Sequence, residues 1–371
     1  MAAPSCFTTQ DSAFMAEALR LAERGLFTTT PNPRVGCVIV RDGDVVGRGF
    51  HARAGGPHAE IVALADAGGR ARGATAYVTL EPCAHHGRTP PCTEALTAAG
   101  VKRVIAAMGD PNPVAGQGAE HLRAAGIAVE LGLMESEARE LNIGFVARVT
   151  RGRPWVRVKV AATLDGRTAL ADGTSQWITG TEARADGHRW RARACAILTG
   201  IGTVKEDDPL LTVRDVDTPR QPLKIIVDSR LEVAPGARIL SSGPVMVAGA
   251  IEDRTKIAAL VERGAEVLVL PNAARKVDLD ALIRELAKRE LNEIHVEAGT
   301  KLNGSLVAAG VVDELLVYLA PSLIGESGRG MFSLPGMARL EDRVRLSVRE
   351  VRRCGDDLRV VARFLTESTG A

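Results

Sequence analysis

Pro57-His58-Ala59-Glu60 begins the stretch that decides the fold of the first half of the chain, and it continues through Thr79-Leu80-Glu81-Pro82-Cys83 to Pro90-Pro91-Cys92. Proline is favoured in the first turn of a helix, so these prolines predict that His58 and Cys92 lie near helix N-termini. A short apolar strand leads into Cys83. Helices that alternate with short strands in this way are typical of a layered α/β domain.

The same stretch contains three side chains that zinc prefers, together with one carboxylate. His58, Cys83 and Cys92 supply one nitrogen and two sulfur atoms, and a catalytic zinc takes three protein ligands and keeps one position for water. The positive end of a helix favours the thiolate that zinc binds. Glu60 is then free to move protons, as the glutamate of the His-x-Glu, Pro-Cys and Cys deaminase signature does. We therefore predict a zinc (Zn²⁺) enzyme that deaminates an amino-substituted ring hydrolytically.

Other interpretations of this pattern stay open. A closed structural zinc site would recruit His85 or His86 as a fourth ligand, and two free thiols beside a helix-surface Glu60 would bind no metal. The two cysteines are also separated by eight residues, 84–91, instead of the usual two.

Apolar periodicity and turn residues divide the first half into alternating elements. A helix capped by Asp11 or Ser12 and ended by Gly25 comes first, and a hairpin that turns on Asp42-Gly43 follows. The expected elements after this helix are strands 35–40 and 45–49, a helix from 58, strand 76–80, a helix from 92, strand 101–107, helix 119–125, strand 127–131 and a helix from 135.

A basic stretch with glycine and proline, residues 150–154, predicts a linker between domains 1–150 and 151–371. The second domain is also expected to be α/β and to end in a hairpin that turns on Gly355-Asp356. Its expected strands are 155–160, 196–199, 223–228, 245–248, 267–270, 293–297, 314–319, 343–351 and 358–364, and its expected helices are 181–194, 255–263 and 278–289.

Length, charge and composition limit the kinds of molecule that the protein is expected to bind. A length of 371 residues suits two domains, and a formal net charge of +2 with only 3% aromatic residues disfavours a general nucleic-acid binder. The N-terminus lacks a basic segment followed by an apolar one, and no apolar run reaches the length of a membrane span. Six cysteines are sparse for a disulfide scaffold. We expect a cytoplasmic homo-oligomer that acts on a small molecule and binds neither nucleic acid nor membrane.

Several motifs together resemble the bacterial RibD family of riboflavin biosynthesis proteins, over almost the whole chain apart from the first ten and the last few residues. The motifs of the first half are Thr30-Pro31-Asn32-Pro33, residues 35–40, Pro57-His58-Ala59-Glu60 and residues 79–92. Those of the second half are Lys159, residues 164–167, 175–179, 207–209, 211–214 and 227–229, and Val296-Glu297-Ala298-Gly299.

This resemblance implies a cytidine-deaminase-like three-layer domain followed by a dihydrofolate-reductase-like α/β domain. The first would deaminate 2,5-diamino-6-ribosylamino-4(3H)-pyrimidinone 5′-phosphate, and the second would reduce the ribosyl chain of the product to ribityl with NADPH. It further implies that the pyrimidine phosphate contacts Asn32, His51, His85, Arg88 and Asp110. Asn32 and Asp110 each lie beside a proline, so turn formation is an equal alternative for them.

The reductase half has no GxGxxG motif, so a Rossmann dinucleotide site has no support in the sequence. The strand, glycine turn and helix start at 296–305 could instead hold a pyrophosphate on backbone amides. By resemblance, the NADPH contacts are Ala161, Trp177, Thr203, Asp207, Ser229, Gly299, Thr300, Lys301, Leu302, Asn303, Gly304 and Ser305. The corresponding substrate contacts are Lys159, Ser175, Arg191, Leu211, Arg214 and Glu297.

Some residues of this half have simpler interpretations. Trp177 could be an ordinary core residue, and Arg184, Arg189 and Arg193 are expected to be solvated on the helix that carries Arg191. Two rival functions also remain, namely a nucleic-acid base deaminase whose second domain holds RNA and a non-catalytic, zinc-stabilised ligand sensor.

Overall fold

The computed structural model describes residues 7–85, 90–113 and 116–365. The chain divides into two compact units, Met1–Gly152 and Arg153–Ala371. Each unit has its own buried apolar core. Within the described residues, no helix combines the length and the apolar character needed to cross a membrane.

The first unit is a sheet packed against helices. Its described helices are α1 (Thr9–Glu23), α2 (Ala59–Ala67), α3 (Cys92–Ala98), α4 (Gly118–Ala124), α5 (Glu135–Leu141) and α6 (Ile143–Arg151). Its described strands are β1 (Gly36–Arg41), β2 (Asp44–Phe50), β3 (Thr75–Val78), β4 (Arg103–Ala106) and β5 (Ala128–Leu131), in the sheet order β2-β1-β3-β4-β5. β1 is antiparallel to β2 and β3, whereas β3, β4 and β5 are parallel.

The start of α1 differs from the prediction. Thr8 is the N-cap, and Asp11 occupies the third helical position, where the two residues form a reciprocal capping box. The predicted cap at Asp11 or Ser12 is therefore wrong, because the Thr8 hydroxyl accepts a hydrogen bond from the Asp11 backbone while the Asp11 carboxylate accepts from the Thr8 backbone.

Two glycines of β2 let α2 approach the sheet closely. A Cβ atom at Gly49 would lie 2.2 Å from the Ala59 carbonyl oxygen, and one at Gly47 would lie 2.3 Å from the Ala63 carbonyl oxygen. Such separations are too short for any side chain, so glycine is required at both positions. This approach determines where the first turn of α2 lies.

The second unit contains a larger mixed sheet. Its described strands are β6 (Trp155–Thr163), β7 (Arg167–Ala169), β8 (Ala196–Gly200), β9 (Leu223–Val227), β10 (Val245–Gly249), β11 (Ala265–Val269), β12 (Glu293–Val296), β13 (Glu314–Ala320), β14 (Arg329–Gly330), β15 (Leu346–Cys354) and β16 (Asp357–Phe364). Its described helices are α7 (Thr181–Arg193), α8 (Ile201–Asp207), α9 (Arg254–Glu262), α10 (Leu279–Lys288) and α11 (Thr300–Ala308). The order of the main sheet is β11-β10-β9-β8-β12-β6-β13-β16-β15, and β7 pairs separately with β14.

The strands from β11 to β13 in this order are parallel, β16 is antiparallel to β13, and β15 is antiparallel to β16. The carboxyl ends of the parallel strands therefore meet at one edge, where open α/β sheets bind ligands. The mixed sheets confirm the α/β class predicted for both halves. The sequence analysis missed α8 and the short pair β7-β14, and it placed one helix where α5 and α6 are separate.

Candidate active sites

Three ligating side chains meet in the first unit. His58 is the N-cap of α2, Cys83 follows β3, and Cys92 is the first residue of α3. Their ligand atoms all lie within 4.8 Å of one another, with His58 Nδ1 3.3 Å from Cys92 Sγ and 3.6 Å from Cys83 Sγ. One imidazole and two thiols at this spacing suit a tetrahedral zinc ion that keeps one position open.

The environment of Cys83 favours its thiolate. Hydrogen bonds from the side chain of Cys92 and from His58 lower the pKa of Cys83 to about 4, and the Cys92 backbone N–H donates to the same sulfur at 3.4 Å. The pKa of Cys92 is raised because its thiol donates to Cys83. These hydrogen bonds favour the thiolate of Cys83, the form in which cysteine binds metals.

Glu60 lies in the first turn of α2 beside these ligands. Only 4% of its surface is exposed, and burial raises the pKa of its carboxyl group to about 7. A carboxyl group with this pKa can both accept and release a proton at neutral pH. The structure thus brings a proton-transfer group next to the metal ligands.

Among the described residues, the metal-ligating cluster contains no fourth side chain. His85 lies outside the cluster, which argues against the closed structural site that would use it. His86, the other predicted rival, lies outside the described residues.

Asn32 and His51 adjoin the cluster. His51 Nδ1 lies 3.0 Å from the Pro57 carbonyl oxygen, so this nitrogen donates, and His51 Nε2 accepts a hydrogen bond from Asn32 Nδ2 at 3.0 Å. The His51 and His58 rings lie 5.4 Å apart, edge to face. Burial lowers the pKa of His51, which keeps its ring neutral. Asn32 is therefore held by its side chain and is more than a turn residue.

Asp110 and Glu81 form an acidic pair near Cys83. Burial, followed by the charges of Glu81 and Cys83, raises the pKa of Asp110 to about 6, and His85 opposes this rise. Glu81 accepts backbone hydrogen bonds from Asp110 at 3.1 Å and from Ala119 at 2.8 Å. Glu81 thus ties the loop after β4 to the site, a role that the sequence analysis missed although Glu81 precedes Pro82-Cys83. Arg88 lies outside the described residues.

The second unit contains a cleft of about 1420 Å³ at the carboxyl ends of the parallel strands. Most of the predicted reductase residues line it, namely Lys159, Ala161, Ser175, Trp177, Arg191, Thr203, Asp207, Leu211, Arg214, Glu297, Gly299, Thr300, Lys301, Leu302 and Asn303. These residues come from segments far apart in sequence, and folding brings them to one surface.

Three predicted cofactor residues do not line this cleft. Ser229 Oγ instead accepts a hydrogen bond from the Val277 backbone at 3.2 Å, and the Ser305 hydroxyl donates to the Lys301 carbonyl oxygen at 3.0 Å. Gly304 packs against another segment, because a Cβ atom there would lie 2.0 Å from the Ser333 carbonyl oxygen. Gly304 therefore allows α11 to approach the Ser333 segment, and the Ser305 hydroxyl bonds within α11.

Glu297 is the centre of a charged group in the cleft. It accepts hydrogen bonds from Arg191 Nε and, at 2.8 Å, from Arg191 Nη2, while Lys159 Nζ and His295 Nε2 lie 4.0 Å and 3.5 Å from its carboxylate oxygens. Burial alone would raise the pKa of Glu297, but Arg191 holds it well below its usual range. Glu297 is therefore a buried carboxylate that fixes the Arg191 guanidinium in a paired geometry.

Two arginines expected to be solvated on α7 are not. The Arg184 guanidinium lies 4.7 Å from the Trp177 ring, and both residues line the cleft. Arg193 Nε donates to the fully buried Glu293 at 2.7 Å. Trp177 is 70% exposed, so its interpretation as a core residue is wrong. Arg189 is exposed, as expected.

The cleft also contains residues that the sequence analysis did not propose. Tyr318 lines it and donates its hydroxyl hydrogen to Asp186 Oδ2 at 2.6 Å, and Arg238 and Arg329 add cations. No motif marks Tyr318, because its strand reads as ordinary core. Its position between Lys159 and α7 depends on the pairing of β13 with β6.

A dinucleotide would find suitable groups in this cleft. Gly299 is the N-cap of α11 and offers no side-chain oxygen to the free amides of the first turn. Asn303 Oδ1 is buried without a hydrogen-bond partner among the described residues, and the Asn303 side chain lines the cleft. Free amides at a helix start suit a pyrophosphate, so the residues present fit a dinucleotide.

Two family models match the chain. The model described as the RibD C-terminal domain matches residues 154–360, and the model described as the cytidine and deoxycytidylate deaminase zinc-binding region matches residues 8–108. Riboflavin biosynthesis protein RibD of Escherichia coli (strain K12) is 51% identical over 363 residues, which cover 94% of this chain and 98% of that protein.

Solved structures of similar proteins also match the chain. A structure of Acinetobacter baumannii RibD matches with a TM-score of 0.89 at 43% identity, covering 96% of this chain and 99% of that one. The Thermotoga maritima diaminohydroxyphosphoribosylaminopyrimidine deaminase/5-amino-6-(5-phosphoribosylamino)uracil reductase matches with a TM-score of 0.85 at 33% identity, with the same coverage.

Proposed function

The chain belongs to the RibD family, and from this premise we propose which of its residues carry the deaminase and reductase reactions of riboflavin biosynthesis. It is a bifunctional enzyme with a zinc-binding deaminase domain and a reductase domain that uses NADPH. We assign the deaminase to residues 1–150 and the reductase to residues 151–371.

The deaminase assignment is carried by one observation, the cluster of His58, Cys83 and Cys92 beside the buried carboxyl group of Glu60. Zinc bound to these three residues supplies Lewis-acid activation of a water molecule. Glu60 would take one proton from that water and pass it to a ring nitrogen of the pyrimidine, and would then move the proton of the hydroxyl group added to the ring carbon to the departing amino group, which leaves as ammonia. The ring carbon exchanges its amino group for oxygen, so water is consumed and ammonia released.

The pyrimidine substrate is recognised by groups around this cluster. The fixed Asn32–His51 pair offers hydrogen bonds to the ring, and Asp110, which interacts with Cys83 and His85, offers a carboxyl group. Arg88 is proposed as a ligand of the substrate phosphate, since a guanidinium binds phosphate through paired hydrogen bonds.

In the reductase, NADPH supplies the hydride that converts ribosyl to ribityl. The first turn of α11 would hold the pyrophosphate, and Ala161 and Trp177, which line the same cleft, would hold the nicotinamide. Arg191, oriented by Glu297, and Arg214 bind the substrate phosphate, while Lys159 faces the sugar chain. Burial lowers the pKa of Lys159, although the charge of Glu297 opposes this shift.

We propose that the enzyme is cytoplasmic and homo-oligomeric, and that its partners are small phosphoribosyl pyrimidines. Sparse cysteines fit a reducing compartment. Light scattering after size-exclusion chromatography measures the oligomeric state, and a monomeric mass would contradict this part.

The function is tested with the diaminopyrimidinone phosphate, with and without NADPH, by following ammonia release and NADPH oxidation. Glu60→Gln is expected to retain zinc, to release ammonia roughly 10²- to 10⁴-fold more slowly, and to reduce preformed uracil product normally. Ammonia release by Glu60→Gln at the wild-type rate would rule out the role of Glu60.

A further inference from the structure

NADPH differs from NADH only by a phosphate on the 2′-oxygen of its adenosine ribose. An enzyme that prefers NADPH therefore needs a cation at the adenosine end of its cofactor cleft. We propose that Arg238 binds this 2′-phosphate and makes the reductase specific for NADPH. This inference rests on the proposed placement of NADPH in the cleft and names the residue that recognises its 2′-phosphate.

The position of Arg238 in the cleft supports this role. Ala161 lies on β6, and Val227 lies at the end of β9, three strands away in the order β6-β12-β8-β9. Strands lie ~4.8 Å apart, so these lining residues are separated by roughly 14 Å, the scale of an extended dinucleotide. With the nicotinamide at Ala161 and the pyrophosphate at α11, the adenosine reaches the β9 end.

Contacts with α8 and β9 hold the segment that carries Arg238. The Arg238 backbone N–H donates to Asp208 Oδ1 at 2.8 Å, and Asp208 directly follows α8. Lys224, near the start of β9, donates to the carbonyl oxygens of Ile239, inside the 3₁₀ turn Arg238–Ser241, and of Ser242, directly after it. Arg238 therefore begins a turn that is held by the end of α8 and by β9, and it lines the cleft together with Val227 and Asp207.

The buried Lys224 explains how the turn is held. Lys224 is only 2% exposed and its described acceptors are backbone carbonyls, an unusual environment for an ammonium group. Ile239 and Leu240 are buried in the apolar core of this side of the sheet. A backbone fixed at both ends presents the Arg238 guanidinium without the ordering cost that a loose loop would add.

Four other cationic side chains of the cleft already contact an acidic or aromatic residue. Arg191 and Lys159 face Glu297, and Arg329 donates to Glu206 at 3.0 Å. The Arg184 guanidinium lies over the Trp177 ring.

Arg214 and Lys301 lie elsewhere in the cleft. The Arg214 backbone N–H donates to His188 on α7 at 3.2 Å, which places it on the substrate side, and Lys301 belongs to the first turn of α11. Like the side chains of Arg214 and Lys301, Arg238 forms no ion pair with any residue in the described ranges, but it is the one of the three that lies on the segment packed against β9. Its guanidinium is available for a phosphate at the adenosine end.

Arg230 is the natural alternative, because it lies three residues after the end of β9 and, like Arg238, is exposed. Its guanidinium lies 3.8 Å from Glu232 and its side chain is 73% exposed, but it is not among the residues that line the cleft. Arg230→Gln therefore removes the same charge from the same region without touching the proposed phosphate site, and it serves as the matched control for Arg238→Gln.

The test measures binding by calorimetry with four probes: NADPH, NADH, 2′,5′-ADP and 5′-ADP. Arg238→Gln is expected to weaken NADPH and 2′,5′-ADP roughly 10- to 100-fold, the effect of losing a charge-assisted phosphate contact. Binding of NADH and 5′-ADP should change by less than about twofold, as should every probe with Arg230→Gln. Arg238→Lys should restore part of the NADPH affinity.

The outcomes separate this inference from the proposed function. Wild-type protein that binds neither dinucleotide would overturn both the placement of NADPH and the role of Arg238. Wild-type preference for NADPH that persists in Arg238→Gln would overturn only the role of Arg238. Equal losses of NADPH and NADH in Arg238→Gln, or a selective loss in Arg230→Gln, would also contradict it.

Discussion

Asp11 links the first helix of the deaminase unit to its sheet, and replacing it with asparagine should destabilise that unit in a pH-dependent way. The carboxylate is 3% exposed and accepts hydrogen bonds from the Tyr77 hydroxyl at 2.7 Å and from Arg103 Nη1 at 2.9 Å. It also accepts from the Thr8 backbone at 2.8 Å. Asp11 thus joins α1 to β3 and β4.

The size of this destabilisation follows from the pKa of Asp11. Burial would raise this pKa, but the hydrogen bonds from Thr8, Tyr77 and Arg103 lower it from 3.8 to about 2. A folded-state pKa below the unfolded one stabilises the fold at pH values above 3.8. At about 1.4 kcal/mol per pKa unit, the ionised carboxylate contributes about 2 kcal/mol at pH 7. About half of this is lost near pH 3, and most of it as the pH falls to about 2.

The assay must report on one unit at a time, because unfolding of a two-domain chain is not a single transition. Met15 in α1 and Met246 in β10 are both fully buried, so the rate at which peroxide oxidises each of them in increasing urea reports on its own unit. Asp11→Asn should lower the Met15 transition and leave the Met246 transition unchanged.

A matched control lies on the same helix. Glu17 pairs with Arg48 at 2.6 Å on the surface, where such pairs contribute about 0–1 kcal/mol. Glu17→Gln should therefore shift the Met15 transition little. Two results would refute the electrostatic reasoning. One is a difference in unfolding free energy between Asp11→Asn and wild type that stays the same at every pH from 7 to 3. The other is a difference of less than about 0.5 kcal/mol at pH 7.

Further predictions concern both sites. Gly49→Ala should displace α2 and reduce zinc content and ammonia release together, whereas Gly69→Ala, where a Cβ atom meets nothing within 4 Å, should retain both in metal and activity assays. His58→Ala should lose zinc by metal analysis, and full retention would contradict its role as a ligand. Glu297→Gln should leave Arg191 unpaired and lower reductase kcat/KM by at least about tenfold without affecting ammonia release; equal kinetics would show that the pair is dispensable.

Much of the deaminase site could be predicted because its signals are local. Prolines before His58 and Cys92 predict helix starts, and the structure has α2 and α3 beginning there. The role of Glu81 could not be predicted, because it depends on backbone amides at Asp110 and Ala119 that only the folded loop brings near.

The reductase half was less predictable for the same reason. Arg193 has the sequence context of a solvated helix residue, but its guanidinium contacts Glu293, a residue 100 positions away. The cleft position of Arg238 likewise depends on Lys224 and Asp208, which no motif connects to it. Whether a charged side chain lies at the surface or in the interior depends on its partners. Partners that are distant in sequence cannot be recognised from a local pattern.

The sequence by itself determined the α/β class, the candidate zinc-ligating residues, the candidate proton-transfer group and the family. These follow from residue type and short spacing, which set helix starts, strand periodicity and metal preference. The tertiary structure alone decided that the three ligands lie within 4.8 Å of one another, that Glu60 is buried, and that a cleft at the carboxyl ends of parallel strands collects distant cations. Burial and long-range pairing determine the pKa and the orientation of a side chain, and both arise only when the whole unit folds.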